Sequence, residues 1–308
     1  METYDKGITS LPYEIICEIF SLLDVEELKS CSLTGKALSY LAKPFIHRTL
    51  HLTHRSGYSI PDRWNGFEGL PTLGKRGLLQ HTRHILIVFP HDPRLAQGLD
   101  SHIQHLRTLT NLRSLKAHCL DTPSFIPEME EYFGSFFGTL QSLELVLPMG
   151  GHKQIVYFAC QFPNLRDLKI SGNKLYTDSV HSGDDPHFDI KTSPPLDGTL
   201  DLQWYTDVGP GRDPIGAHFI LGDLVALPSG PKFRTLKLSG CTSNNLQLLL
   251  DKCAPTLECA EFTGGWFGVL FLHRGELSFV HLCSYDLNIR RFRLSSAQFQ
   301  TSPRVAKT

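Results

Sequence analysis

The stretch Leu11-Pro12-Tyr13-Glu14-Ile15-Ile16-Cys17-Glu18-Ile19-Phe20-Ser21-Leu22-Leu23-Asp24 decides how the rest of the chain is read. Leu11, Ile15, Ile19 and Leu23 recur four residues apart, which is one stripe of an α-helix. Ile16, Phe20 and Leu22 widen that stripe until most of the circumference is apolar. So short a helix carries more apolar surface than a small bundle can hide within itself. Pro12 fits the first turn, where a missing N–H costs nothing, and Ser10 stands in a capping position before it. Asp24-Val25-Glu26-Glu27 has the form of a capping box, opening a second helix with Leu28 and Cys31 inside. Leu38, Leu41 and Phe45 mark a third helix, with Pro44 near its end.

These residues resemble the F-box. That family's pattern runs Leu-Pro, Glu-Ile, Ile/Leu-Phe/Leu, Leu-Asp and then Cys-Ser-Leu. Here the matching positions are Leu11-Pro12, Glu14-Ile15, Ile19-Phe20, Leu23-Asp24 and Cys31-Ser32-Leu33, within about the first fifty residues. The family then continues Val-Cys-Arg-x-Trp, where this chain has Thr34, Gly35, Lys36, Ala37 and Leu38. The resemblance implies docking on a Skp1-like protein, and through it on a cullin-RING ubiquitin ligase. The residues it marks for that contact are Leu11, Pro12, Ile15, Ile16, Ile19, Phe20, Leu23 and Leu28.

Beyond the head, a unit recurs from Thr82 onward. Ile85–Ile87, Leu112–Ala117, Leu140–Leu145, Leu165–Ile170, Leu200–Leu202, Phe233–Leu238, Leu257–Phe262 and Ile289–Leu294 each offer an L-x-x-L-x-L core or a degraded version. Helical stretches fall between them at 99–109, 125–137, 154–160, 215–227 and 246–253. Strand, helix and strand in that rhythm predict a parallel sheet with right-handed crossovers. Asn173 and Cys241 occupy the Asn/Cys slot of the leucine-rich-repeat signature and read as structural. The fold class expected is α/β: a three-helix F-box, then an irregular leucine-rich-repeat solenoid. The expected divisions are 1–53 for the helical head, 54–80 for an irregular connector, 81–294 for the solenoid and 295–308 for a frayed tail. Residues 171–198 form a polar insertion within the solenoid. An F-box ahead of such degenerate repeats is similar to a large group of fungal F-box proteins.

Composition narrows function by exclusion. The 308 residues carry 30 Lys+Arg against 31 Asp+Glu, a net charge of −1. Such a balance gives no general attraction to nucleic acid or to an anionic membrane, and neither is expected as a partner. The longest apolar run, Gly264 to Leu272, falls well short of the ~18 residues a membrane helix needs. Glu2, Asp5 and Lys6 precede the first helix without an apolar run, so the start does not read as a signal peptide. The 8 cysteines are scattered with no Cys-x-x-Cys. That usage points to a reducing compartment, cytoplasmic or nuclear.

Catalytic patterns are missing: no Walker loop, no G-x-G-x-x-G after a strand, no G-x-S-x-G, no H-E-x-x-H. His47, His51 and His54 would converge only on a helix, and their segment alternates like a strand. His102 and His105 lack a third ligand, and Asp184, Asp185 and Asp189 lack EF-hand spacing. No enzyme activity, metal or cofactor is expected. The reading is of a non-catalytic adaptor that presents a protein substrate, with a repeat scaffold merely capped by the helical head as the alternative. In such a solenoid the middle residue of each L-x-L lies on the open face of the sheet. Lys116, Glu144, Lys169, Asp201, Lys237 and Glu261 are therefore the candidate substrate face, flanked by Leu86 and Arg293.

Overall fold

The computed structural model describes residues 8–53, 65–88, 104–118, 134–147, 152–173, 195–205, 215–239, 245–263, 269–273, 276–280 and 290–293. The chain divides into two compact units, residues 1–115 and 116–308. The division falls inside one strand, β4.

In the first unit, three helices come first: α1 (Tyr13–Leu22), α2 (Val25–Thr34) and α3 (Lys36–Ile46). Pro12 stands just before α1 rather than inside its first turn, and its carbonyl accepts from Ile15 and Ile16 N–H. Ser10 lies in a short 3-10 turn and does not cap α1. The expected capping box is present at α2. Asp24 Oδ1 accepts from Glu26 N–H at 2.8 Å and Glu27 N–H at 2.9 Å, while Glu27 Oε2 accepts from Asp24 N–H at 2.9 Å. Two orphan donors of the helix start are thereby satisfied. The core of the head is small: Ile16, Phe20, Leu28 and Ala42 are buried, with Ile19, Leu23, Cys31, Leu38, Leu41, Phe45 and Ile46 packed around them. Phe20 and Phe45 meet edge to face at 5.8 Å, so α3 is anchored without the family's tryptophan.

The head runs directly into sheet. Strand β1 (Thr49–Thr53) pairs in parallel with β2 (Asn65–Gly66) and with β3 (His84–Val88). The alternate burial of β1 and β3 follows the period of two that a half-buried strand requires. The stretch 54–80, read as an irregular connector, contains β2 and a short helix α4 (Leu70–Lys75). Phe67 and Leu70 are buried there. Thr82 Oγ1 donates to His47 O at 3.1 Å, tying the end of α3 to the start of β3.

The second unit repeats strand and crossover. Past β4 (Ser114–His118), its strands are β5 (Ser142–Leu147), β6 (Asp167–Asn173), β7 (Asp197–Tyr205), β8 (Lys232–Ser239) and β9 (Cys259–Thr263). From β5 to β9 they are parallel neighbours in sequence order. Helices α5 (His152–Cys160), α6 (Ile215–Ala226) and α7 (Asn245–Cys253) supply crossovers. The parallel run ends there. Strand β12 (Arg290–Arg293) lies antiparallel to β9, so the stretch 289–294 does not continue the repeat as its L-x-L pattern implied. A separate antiparallel hairpin joins β10 (Val269–His273) to β11 (Glu276–Val280). A hairpin needs only a tight turn, whereas a parallel pairing needs a full crossover.

Each repeat hands its start to the next. Arg48 O accepts from both Arg83 and His84 N–H, Arg83 O from Arg113 and Ser114 N–H, and Gln141 O from Arg166 and Asp167 N–H. Two asparagines reinforce these joints: Asn111 Nδ2 donates to Gln80 O at 3.0 Å, and Asn164 Nδ2 to Gly138 O at 2.7 Å. Asparagines that satisfy backbone carbonyls thus stand at strand starts, at positions the sequence reading did not name. Asn173 ends β6, while Cys241 lies outside the described residues. At Gly198 (φ 86°) a β-carbon would collide with Arg166 O, which accepts from Thr199 N–H. Ser171 is buried inside β6, so the segment read as a polar insertion begins in the sheet. Residues 174–194 lie outside the described residues, with the Asp184, Asp185 and Asp189 cluster.

Candidate functional site

Two surfaces follow from this arrangement, one in each unit. In the head, of the nine large hydrophobic side chains exposed among the described residues, eight lie between Ile8 and Tyr40. They are Ile8, Leu11, Tyr13, Ile15, Leu22, Val25, Leu33 and Tyr40. Leu33, Tyr40 and Leu22 are 86%, 75% and 81% exposed. A monomeric surface scatters such residues singly, whereas here they are concentrated in one small bundle. The helical stripe explains it. Ile16, Phe20, Leu28 and Ala42 fill the inside and Ile19 packs partly against them, which leaves Tyr13, Ile15 and Leu22 of α1 and Leu33 and Tyr40 at the α2–α3 corner exposed.

The candidates from the sequence separate accordingly. Leu11, Pro12 and Ile15 are exposed; Ile19 and Leu23 are half-buried; Ile16, Phe20 and Leu28 are core. The last three hold the bundle and are closed to any partner in this conformation. Leu22, Leu33 and Tyr40 are exposed apolar residues that the sequence reading did not assign to the docking contact. Leu33 and Tyr40 also border an open groove of about 520 Å³ at the α2–α3 corner, together with Lys36 and Lys43. Ser32, Gly35 and Ser39 complete its lining, so the groove mixes apolar, hydroxyl and cationic groups.

On the sheet of the second unit, the candidate substrate residues form a single row. The strand registers place Glu144 opposite Lys169, Lys169 opposite Asp201, Asp201 opposite Lys237 and Lys237 opposite Glu261. Lys116 Nζ lies 2.8 Å from Glu144 Oε1, and Lys169 Nζ lies 3.4 Å from the same oxygen. The signs alternate strand by strand, which is the favourable cross-strand arrangement. Burial pulls the Glu144 carboxyl up, but the two lysines more than offset it and hold it below the usual carboxylate range. Asp201 Oδ2 accepts from Gln203 Nε2 at 3.2 Å. The row is largely self-neutralised. Beside it, burial and then Lys116 hold the His118 imidazole below its ordinary value. Leu86 lies half-buried on β3, and Arg293 falls on β12.

Among the described residues no group of three His, Cys, Asp or Glu could hold a metal ion. None of the described helices is long and apolar enough to cross a membrane. Cys160 and Cys253 are buried, and burial pushes their thiols up to about 12 and about 11, so neither is a nucleophile at neutral pH.

Residues 8–53 match the F-box-like family model. The matched span begins in the turn before α1 and ends with β1, so it covers the whole apolar head. The chain therefore carries an F-box-like domain, followed by an α/β region whose central sheet is parallel. F-box domains generally belong to non-catalytic adaptors and typically bind Skp1-like proteins in SCF complexes. No curated protein matches the chain.

Proposed function

We propose that this protein is a substrate receptor of a cullin-RING ubiquitin ligase, docking on a Skp1-like protein through its head. The observation that carries this reading is the run of exposed apolar side chains from Ile8 to Tyr40 inside the F-box-like match. Leu11, Pro12, Ile15, Leu22, Leu33 and Tyr40 form the contact, and Ile16, Phe20 and Leu28 shape it from within. The half-buried Ile19 and Leu23 do both. A head that served only to cap the sheet would hide these side chains.

The repeat region, with its L-x-x-L-x-L strands, is a degenerate leucine-rich-repeat array and holds the substrate. Catalysis is supplied by other subunits through proximity. Its alternating row of charges is satisfied within itself, so selection there comes from shape and hydrogen bonding rather than net charge. The work of such a receptor is cytoplasmic or nuclear. The test is co-purification with a Skp1-like protein by the Leu11→Ala/Pro12→Ala variant. Weakened capture by a folded variant supports the reading; undiminished capture contradicts it.

A further inference from the structure

The strand starts of the first unit carry a feature the receptor reading does not use. Arg48, Arg83 and Arg113 occupy the same place in three successive strands, because each arginine's N–H, or that of its neighbour, bonds to the preceding arginine's carbonyl. Arg83 N–H and Arg113 N–H reach Arg48 O and Arg83 O, both at 2.8 Å. Adjacent strands lie about 4.8 Å apart, so the three side chains leave the backbone along a line of about 10 Å. All three are exposed. Among the described residues no carboxylate pairs with any of them. Their mutual closeness is felt at His84, whose imidazole is held low by burial and then by Arg48, Arg83 and Arg113.

Like charges set side by side on a sheet oppose folding. In the second unit Arg166 holds the same position with no carboxylate paired to it among the described residues, whereas a second arginine there is balanced. Arg234, at the start of β8, lies 3.5 Å from Asp197 and 3.8 Å from Glu258 on the neighbouring strands. The first unit has the arginines without the acids.

We propose that Arg48, Arg83 and Arg113 form a docking rim for an acidic segment of a partner protein, a short run of Asp or Glu lying across the strand starts. This deepens the receptor reading and rests on it for the choice of a protein as the occupant. Charge complementarity requires an anion. The geometry favours carboxylates over a single phosphate, because the rim's N–H groups at Arg83, His84, Arg113 and Ser114 are already spent on carbonyls. No backbone nest is left to converge on one phosphate group. What remains is a line of planar guanidinium forks, each matched to one carboxylate. Nucleic acid is disfavoured by the overall charge of −1 and by a basic line only three residues long.

The test is fluorescence anisotropy on the full-length protein with a labelled peptide containing four consecutive glutamates. A peptide with glutamines in their place is the control. The acidic peptide binds and the glutamine peptide does not. Added salt weakens the binding. Arg83→Gln and Arg113→Gln each weaken it by about tenfold, because each removes one charge-assisted pair. Arg234→Gln leaves it unchanged. The strand joints use main-chain atoms, so these variants keep the fold, which circular dichroism checks. No binding of the acidic peptide overturns the proposal. So does binding that survives Arg83→Gln with Arg113→Gln, or stronger arginine-dependent binding of a peptide whose one charged side chain is a phosphoserine, or of a single-stranded oligonucleotide. Capture of a Skp1-like protein, measured on the same samples, separates the two readings. Intact capture without peptide binding removes the rim alone, and peptide binding without capture removes the docking head alone.

Discussion

Truncating two exposed residues of the head, Leu11→Ala with Ile15→Ala, tests the docking surface quantitatively. Each substitution removes three carbons, worth about 2.4 kcal/mol at ~0.8 kcal/mol per fully buried methylene. Leu11 is 40% exposed and Ile15 43% exposed, so only that share of each side chain is left for a partner to cover. Each therefore contributes about 1 kcal/mol to docking, and the pair about 2 kcal/mol, or roughly a 30-fold rise in Kd. The remaining share, about 1.4 kcal/mol per residue, is lost from the fold instead. The double variant should thus bind a Skp1-like protein more weakly and also melt earlier. Titration calorimetry with a purified Skp1-like protein, below the melting transition of both forms, separates the two effects. An unchanged Kd with a lowered Tm would refute the reasoning, because it would make both residues purely internal. Leu33→Ala, at 86% exposure, gives the opposite split: about 2 kcal/mol from binding and almost none from stability, provided the partner covers it.

Other expectations follow from single contacts. Asp24→Ala removes the capping box of α2 and should cost about 1 kcal/mol of stability, seen as a lower urea midpoint at unchanged slope. Gly198→Ala forces a side chain into the left-handed region against Arg166 O and should cost roughly 2 kcal/mol or more, read from the same titration. Glu144 has its folded pKa depressed by Lys116 and Lys169, so its contribution is present above the ordinary carboxylate value of 4.5 and lost as pH falls below it. Glu144→Gln should therefore flatten the acid limb of the stability profile and leave the neutral-to-basic limb parallel to wild type. Cys160 and Cys253 should resist alkylation in native protein at pH 8 and react fully in denaturant, as mass spectrometry would record.

Much of the arrangement was legible in the residues. The helical period around Ile15 and Ile19 and the Asp24 box gave α1 and α2, because both signals are local. The L-x-L alternation placed β3 to β9, since a half-buried strand must alternate. It failed at 289–294, where the same pattern serves an antiparallel strand; alternation reports burial and is silent on direction. Helix and strand propensity were silent on α4, a six-residue helix held by burying Leu70. In the head, the stripe announced an excess of apolar surface but did not divide it. Ile15 and Ile16 are neighbours in sequence, yet one faces out and the other in. That division depends on where α2 and α3 cross α1, which is a tertiary fact. The Asn-Leu-Arg-x-Leu-Lys repeats at Asn111 and Asn164 were a readable signal for the strand-start asparagines, outweighed by the expected slot at Asn173.

The central claim is that the head's exposed apolar side chains await a foreign surface. Amide hydrogen exchange on the full-length protein, with and without a purified Skp1-like partner, tests it most directly. The account predicts added protection in α1 and across the α2–α3 corner around Leu33 and Tyr40, with β5 to β9 unchanged. A complex that leaves those segments exchanging as before, or no complex at all, would contradict it.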